Sequence, residues 1–270
     1  MKKLLFLAPV AVALMASCGS KNAEGNAAEG SETAAVETVD GVDADGYRVL
    51  FNGENLEGWR GYGRDTVPGR WTVEDGCIKF SGAGGGEAQT GDGGDLIFGE
   101  KFKNFELELE WKISKGGNSG IFYLAQESYN KDGGLEPIYI SCPEYQVLDN
   151  ANHPDAKLGV DGNRMSASLY DMIPAKPQNQ NPYGEWNKAK IMVYKGTVVH
   201  YQNDVNVLEY HLWTPQWTEM LQNSKFAEDK WPSAFALLNN CGGENHEGFI
   251  GFQDHGDDVW YRNIRIKVLD

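Results

Sequence analysis

The sequence predicts an all-β domain folded as a sandwich of two sheets. Three observations point there. Short runs rich in β-branched and aromatic residues recur at close spacing between Gly, Asn and Asp turn signals. One of them, FELELEWKI at 105–113, alternates strictly between apolar residues and Glu106, Glu108, Glu110 and Lys112. That is the pattern of a strand with one face in a core and the other in water. Helical periodicity is almost absent, since only Trp217, Met220, Leu221 and Phe226 suggest one short surface helix, stopped before Pro232. The chain has 270 residues, 41% of them hydrophobic and 11% aromatic, enough for one large core, and β domains of this length often stay undivided.

Taken in order, residues 1–18 are a targeting segment. Lys2 and Lys3 open it, and the apolar run 4–15 is too short for a comfortable membrane span. The ending Met15-Ala16-Ser17-Cys18 resembles a bacterial lipoprotein signal, with Cys18 the acylated first residue of the mature chain; plain secretion is the alternative. Residues 19–45 are mostly Ala, Glu, Gly, Ser and Thr. Such a stretch buries too little surface to offset its ordering entropy and is expected to be a disordered tether. The folded domain is placed at 46–270.

Strands are expected at 48–51, 56–59, 70–73 and 77–80, the last two joined by a hairpin at Glu74-Asp75-Gly76, where Asp-Gly supplies the positive φ of a tight turn. The Gly-rich stretch 81–94 is followed by no helix and reads as a rim loop rather than a phosphate loop. Strands resume at 96–98, 105–113, 118–124, 138–142, 144–148, 190–194, 197–202, 205–212, 248–253 and 259–268. The glutamates of 105–113 read as a solvated outer face. Trp71, Trp111, Trp186 and Trp260 read as core, leaving Trp213, Trp217 and Trp231 as the better sugar platforms if exposed.

The formal net charge of −15 argues against nucleic acid and anionic membrane surfaces as partners, because a phosphate binder needs a basic face. It leaves a neutral sugar open. With Cys18 spent on lipid, Cys77, Cys142 and Cys241 allow at most one internal disulfide, and Cys142–Cys241, flanking two strands of one groove, is the pair to test. No CxxC spacing exists, so zinc is not expected. Asp254, Asp257 and Asp258 leave a loop Ca²⁺ open, although no EF-hand spacing supports it; otherwise no metal or cofactor is expected.

Residues 143–149, PEYQVLD, organise the functional reading. Tyr145 and Val147 fall on one side of a short strand, while Glu144, Gln146 and Leu148 fall on the other. In FIGFQDHG, Ile250 and Phe252 share one parity and Gln253 and His255 the other. The two strands are expected in one sheet, with Glu144, Gln146, Gln253 and His255 in a shared groove. His153, His200, His211 and His246 have no partner in the pattern and read as structural or surface residues.

FNGENLEGW, GNSGI, EYQVLDN, SLYD, GEWN, GFQDHGD and WYRNIRIK occur in this order. In these motifs the chain resembles the 3-keto-disaccharide hydrolase family over its whole globular part. The resemblance implies a concanavalin-like jelly roll with a concave sugar-binding face. It also implies activity on glycosides already oxidised to a ketone at C3, split by hydrolysis or 1,2-elimination, and a sugar 3-dehydrogenase as functional partner. One departure stands out: many members carry Arg where this chain has Leu124, so either this chain takes a different substrate or a neighbouring cation such as Arg164 or Lys157 takes over. The loop 239–246 also looks long enough to reshape the groove beside His255.

A C3 ketone acidifies the hydrogen at C2, so a base can remove it and the C1 substituent can leave without the carboxylate pair of ordinary glycosidases. Such a site needs a base near C2, a donor to the enolate oxygen and an acid near the leaving oxygen. His255 is assigned as base and Glu144 as its partner or the acid. Asn118, Gln146 and Gln253 are expected to hold sugar oxygens, with Asp149, Lys157, Arg164 and Tyr170 as further substrate-binding candidates. His255 as a turn pin, and Glu144 as the ion partner of Arg164 or Arg262, are the structural alternatives. An enzyme anchored by lipid at the cell envelope, on the periplasmic face or outer-membrane surface, is the leading reading. A non-catalytic sugar-binding lipoprotein and an ordinary glycosidase are the alternatives.

Overall fold

The computed structural model describes residues 41–82 and 91–270. The targeting segment, Cys18 and most of the tether lie outside the described residues, as does the middle of the Gly-rich loop. In chain order the elements are β1 (Arg48–Val49), β2 (Trp59–Gly61), β3 (Trp71–Glu74), β4 (Cys77–Phe80), β5 (Leu96–Phe102), β6 (Phe105–Ile113), β7 (Asn118–Ala125) and β8 (Glu144–Leu148). There follow β9 (Asn187–Tyr194), β10 (Thr197–Gln202), β11 (Val205–His211), helices α1 (Pro215–Gln222) and α2 (Pro232–Asn239), β12 (Gly248–Phe252) and β13 (Val259–Val268).

These strands form the expected two-sheet jelly-roll sandwich. An 8-stranded antiparallel sheet runs β11-β10-β9-β6-β13-β4-β3 with β1 on β13, and a 5-stranded one runs β2-β5-β12-β7-β8. Period-2 alternation decides which side chains meet between them. Leu107, Leu109 and Trp111 of β6 and Tyr261 and Ile264 of β13 pack inward against Ile121 and Tyr123 of β7, Tyr145 and Val147 of β8, and Ile250 and Phe252 of β12. On the outer face of the large sheet Glu110 pairs with Arg262 at 2.8 Å and Glu108 with Arg265 at 2.7 Å, both on neighbouring β13. The glutamates are therefore rungs of a cross-strand charge ladder, not a site.

The core holds one buried polar chain. His200 Nδ1 lies 2.9 Å from Ala167 O, an acceptor only, so Nδ1 carries the proton. Nε2 then accepts from the Tyr123 hydroxyl at 2.6 Å, and Tyr123 accepts from Tyr210 at 2.6 Å. Burial pushes His200 down to about 4. The unfolded chain, with an ordinary imidazole, takes up this proton first as pH falls. The stability this neutral His contributes is complete above about pH 6.5 and drains away toward pH 4, by about 3 kcal/mol. Urea midpoints of wild type and His200→Gln across pH 4–7 test this: the wild-type slope should exceed that of the variant, and parallel curves would contradict it.

Several local expectations are corrected. Ile138–Ile140 is a 3-10 turn rather than a strand. Pro232 does not merely stop a helix but opens a second one, α2, at the N-terminal position where a missing N–H does no harm. The helices are packed, with Trp217 and Leu221 buried. Residues 42–45 belong to the fold: Val42 bridges Arg48 and Asp43 pairs with Arg265 at 2.7 Å. Trp186 and Trp260 lie on the outer face of the large sheet, Trp186 under Arg262 at 3.9 Å and Trp260 under Lys112 at 4.6 Å. Cys77, Cys142 and Cys241 are all free and buried. Cys142 donates to Ile138 O within one apolar cluster while Cys241 belongs to another, so the proposed disulfide is not formed.

Candidate active site

The outer face of the 5-stranded sheet carries the polar groups. Register places Gly120 opposite Gln146 and Phe122 opposite Glu144, so Asn118, Gly120, Gln146 and Glu144 share this face. Gln253 follows β12, and its N–H donates to Gly120 O at 3.0 Å. β8 and β12 thus lie in one sheet with β7 between them, as the alternation required. Next to this polar area the face is apolar. Ile97, Phe122 and Phe249 are roofed by Ile138 and Cys142.

Glu144 is 6% exposed, and its carboxylate lies over Gly120. A Cβ at Gly120 would stand 2.4 Å from Glu144 Oε1, so only glycine leaves the acid its place. The Gln146 amide, nitrogen toward Glu144, sits 3.0 Å from Oε1 and 3.1 Å from Ser119 O, both acceptors. Burial raises Glu144 to about 8, against the pull of the Lys225 cation, with Asp95 and Asp155 adding to the rise. Burial lowers Lys225 in turn, opposed by Glu144. Its ammonium stands 4.3 Å over the Tyr170 ring. Lys225 was not legible as a site residue; Lys157 is exposed at the end of the 3-10 turn Pro154–Lys157.

Two residues along β7, roughly 7 Å away, Asn118 Nδ2 lies 3.2 Å from His255 Nε2. With the amide N–H donating, that imidazole nitrogen holds a lone pair. His153, expected at the surface, faces His255 edge-on with ring centroids 6.2 Å apart. Its Nδ1 accepts from Asp155 N at 3.1 Å, so Nε2 carries the proton. Burial and then the neighbouring His255 lower its pKa, which keeps the ring neutral. Asp257 is raised by burial, while it accepts from Asn118 N at 3.0 Å and faces both histidines. Asn118 Oδ1 and Gln253 Oε1 are buried and have no hydrogen-bond partner among the described residues.

Two sequence candidates, Arg164 and Asp149, have structural partners. Arg164 is clamped by Asp171 at 2.6 Å and Asp155 at 2.9 Å. Asp171 also accepts from Lys225 N at 3.0 Å, so the clamp positions the wall carrying Tyr170 and Lys225. Asp149 spends its oxygens on Gly116 N, Ala151 N and Asn152 Nδ2 and shapes the turn that delivers His153. Leu124 is fully buried in the core. The loop 239–246 joins the opposite end of β12 from His255, and His246 stacks on Trp213 at 3.6 Å. Asp254 and Asp258 accept from backbone N–H groups, and no cluster of three or more potential metal ligands occurs among the described residues.

One face of this jelly-roll sandwich therefore gathers a buried carboxyl, an imidazole pair and two carboxamide oxygens without a partner among the described residues. The chain belongs to the family of 3-keto-alpha-glucoside-1,2-lyase-like domains, matched over residues 46–267. It is 79% identical over 233 residues to the 3-keto-disaccharide hydrolase of Bacteroides thetaiotaomicron, covering 85% of this chain and 80% of that protein. The crystal structure of a proposed glycosyl hydrolase from Parabacteroides distasonis is similar at 29% identity and a TM-score of 0.69, over 84% of this chain and 95% of that one. A second protein of that organism shares the fold at 23% identity and a TM-score of 0.59, over 83% of this chain and 99% of the other.

Proposed function

We propose that this protein cleaves 3-keto-glycosides by removing the proton at C2 and expelling the substituent at C1. The observation that carries this reading is an imidazole, His255, about two strand residues from Glu144, a carboxyl that burial shifts toward its protonated form. Of the other carboxylates on this face, Asp155 and Asp171 are committed to Arg164, Asp95 accepts from Asp254 N, and Asp257 accepts from Asn118 N and faces the histidines rather than Glu144. An ordinary glycosidase needs a second carboxyl facing the first; the groove offers a base and an acid suited to an acidified C–H bond instead. The name of the Bacteroides thetaiotaomicron relative supports a keto-sugar substrate.

In this reading the sugar lies with C2 at His255, C1 toward Glu144 and O3 toward His153, whose ring stands 6.2 Å from that of His255. His255 Nε2 takes the C2 proton once the bound sugar draws the Asn118 amide away from its lone pair. The neutral His153 Nε2–H donates to the oxygen that becomes an enolate, as an electrophile that keeps its own proton. Glu144 gives its proton to the glycosidic oxygen as the C1–O bond breaks and the C1–C2 double bond forms. The Lys225 ammonium stabilises the carboxylate left behind. Water then adds at C1 and gives one proton to the Glu144 carboxylate while the imidazolium returns its proton to C2, which completes a net hydrolysis and resets both groups; release before that step gives the elimination product. The lipoprotein-like signal supports a lipid-anchored place at the cell envelope, where a sugar 3-dehydrogenase would supply the ketone.

Product analysis by NMR with 3-keto-trehalose, 3-keto-β-glucosides and the unoxidised sugars, with and without EDTA, tests this. Cleavage confined to the keto sugars is expected. Cleavage of the unoxidised sugars would point to an ordinary glycosidase, and binding without turnover would leave a lectin. Gly120→Ala provides a local check. The added methyl displaces the Glu144 carboxylate while the backbone stays, so turnover should fall on the order of 10–100-fold with little change in melting temperature. Unchanged turnover would show that the position of Glu144 is immaterial.

A further inference from the structure

A cavity of about 160 Å³ opens on the same sheet face, lined among others by Tyr62, Arg64, Asp95, Leu135 and Glu136. Register ties it to the groove. Tyr62 N donates to Asp95 O, Leu96 lies opposite Phe252, and Gln253 N donates to Gly120 O. Tyr62, Asp95, Gln253, Gly120 and Gln146 therefore form one transverse row across all five strands, pointing outward. Asp95 lies two strands from Gly120, roughly 10 Å, and its charge reaches Glu144. Between them sits Gln253, whose buried Oε1 has no partner among the described residues.

We infer that this cavity is the subsite for the group departing from C1, and that it takes a second pyranose or a similarly polyhydroxylated alcohol. The inference rests on the keto-glycoside reading above. With C3 toward His153 and C1 toward Glu144, the leaving oxygen lies on the Glu144 side, and the cross-sheet row leads from there into the cavity. Arg64 supplies hydrogen-bond donors, and Glu136 supplies carboxyl oxygens, for a ring with hydroxyls on its rim. Leu135 offers an apolar surface to the ring's C–H face. The Tyr62 hydroxyl, hydrogen-bonded to Gln126 O at 2.8 Å, holds its ring as a fixed wall.

Leu135→Trp, which fills the cavity, and Arg64→Ala, which removes its cation, test the subsite. The readout is the ratio of kcat/KM for 3-keto-trehalose to that for methyl 3-keto-α-glucoside, whose leaving group is too small to reach the cavity. Both variants should lower this ratio at least about tenfold, because remote binding energy is lost only for the disaccharide. An unchanged ratio in both would overturn the inference. If wild type turns over neither substrate, the enzymatic reading fails, and the subsite is then tested by calorimetric titration with trehalose and methyl α-glucoside. Trehalose binding weakened selectively by the two variants would uphold it, and trehalose binding that is absent or insensitive to them would overturn it.

Discussion

His255→Ala lowers kcat on a 3-keto-glycoside by roughly 10²–10⁴-fold, the range general-base removal produces, while leaving the melting temperature close to that of wild type. The ring is partly exposed just past the end of β12, and among the described residues its one direct hydrogen bond is to Asn118. Its loss opens no core cavity, so the effect should fall on the chemical step. A turn-pinning role makes the opposite forecast: a drop in melting temperature with turnover near normal. Measuring both quantities on the same preparation separates the two roles.

Glu144→Gln should cost kcat by roughly 10²–10³-fold on a 3-keto-disaccharide, and far less on a 4-nitrophenyl 3-keto-glucoside, whose leaving phenolate needs no proton. The pH profile carries the same information with a definite sign. Burial first, against the opposing pull of Lys225, sets Glu144 at about 8. An acid must be protonated to act, so wild-type kcat should decline as pH rises through about 8, and Glu144→Gln should lack that limb. Equal losses on both substrates, with the alkaline limb retained, would remove Glu144 from the acid role.

The strand that organises the site was legible because a period of two leaves little freedom. Once Tyr145 and Val147 face the core, Glu144 and Gln146 must face away. The same logic yielded β6 and β13 to the residue. Lys225 and His153 were hidden because they lie in irregular segments, where no periodicity states which way a side chain points. Their meeting with Glu144 and His255 depends on the Arg164 clamp and the Asp149 turn, which tie distant parts of the chain. Arg164 and Asp149 looked like ligands for the same reason: a charged residue in a loop announces chemistry but not its partner. The second helix was missed because Pro232 was weighed as a breaker, although proline is equally at home at the first turn of a helix.

The central claim is proton abstraction from C2, and the most direct measurement is turnover of 3-keto-trehalose in D₂O with NMR detection at C2, beside an enzyme-free control. If His255 removes the C2 proton, the 3-keto-glucose formed by hydrolysis carries deuterium at C2, or a 2-hydroxy-3-keto-glucal lacking that hydrogen accumulates. Product that retains protium at C2 at the level of the starting sugar would contradict the account, because the C1–O bond would then have broken without the C2 hydrogen leaving.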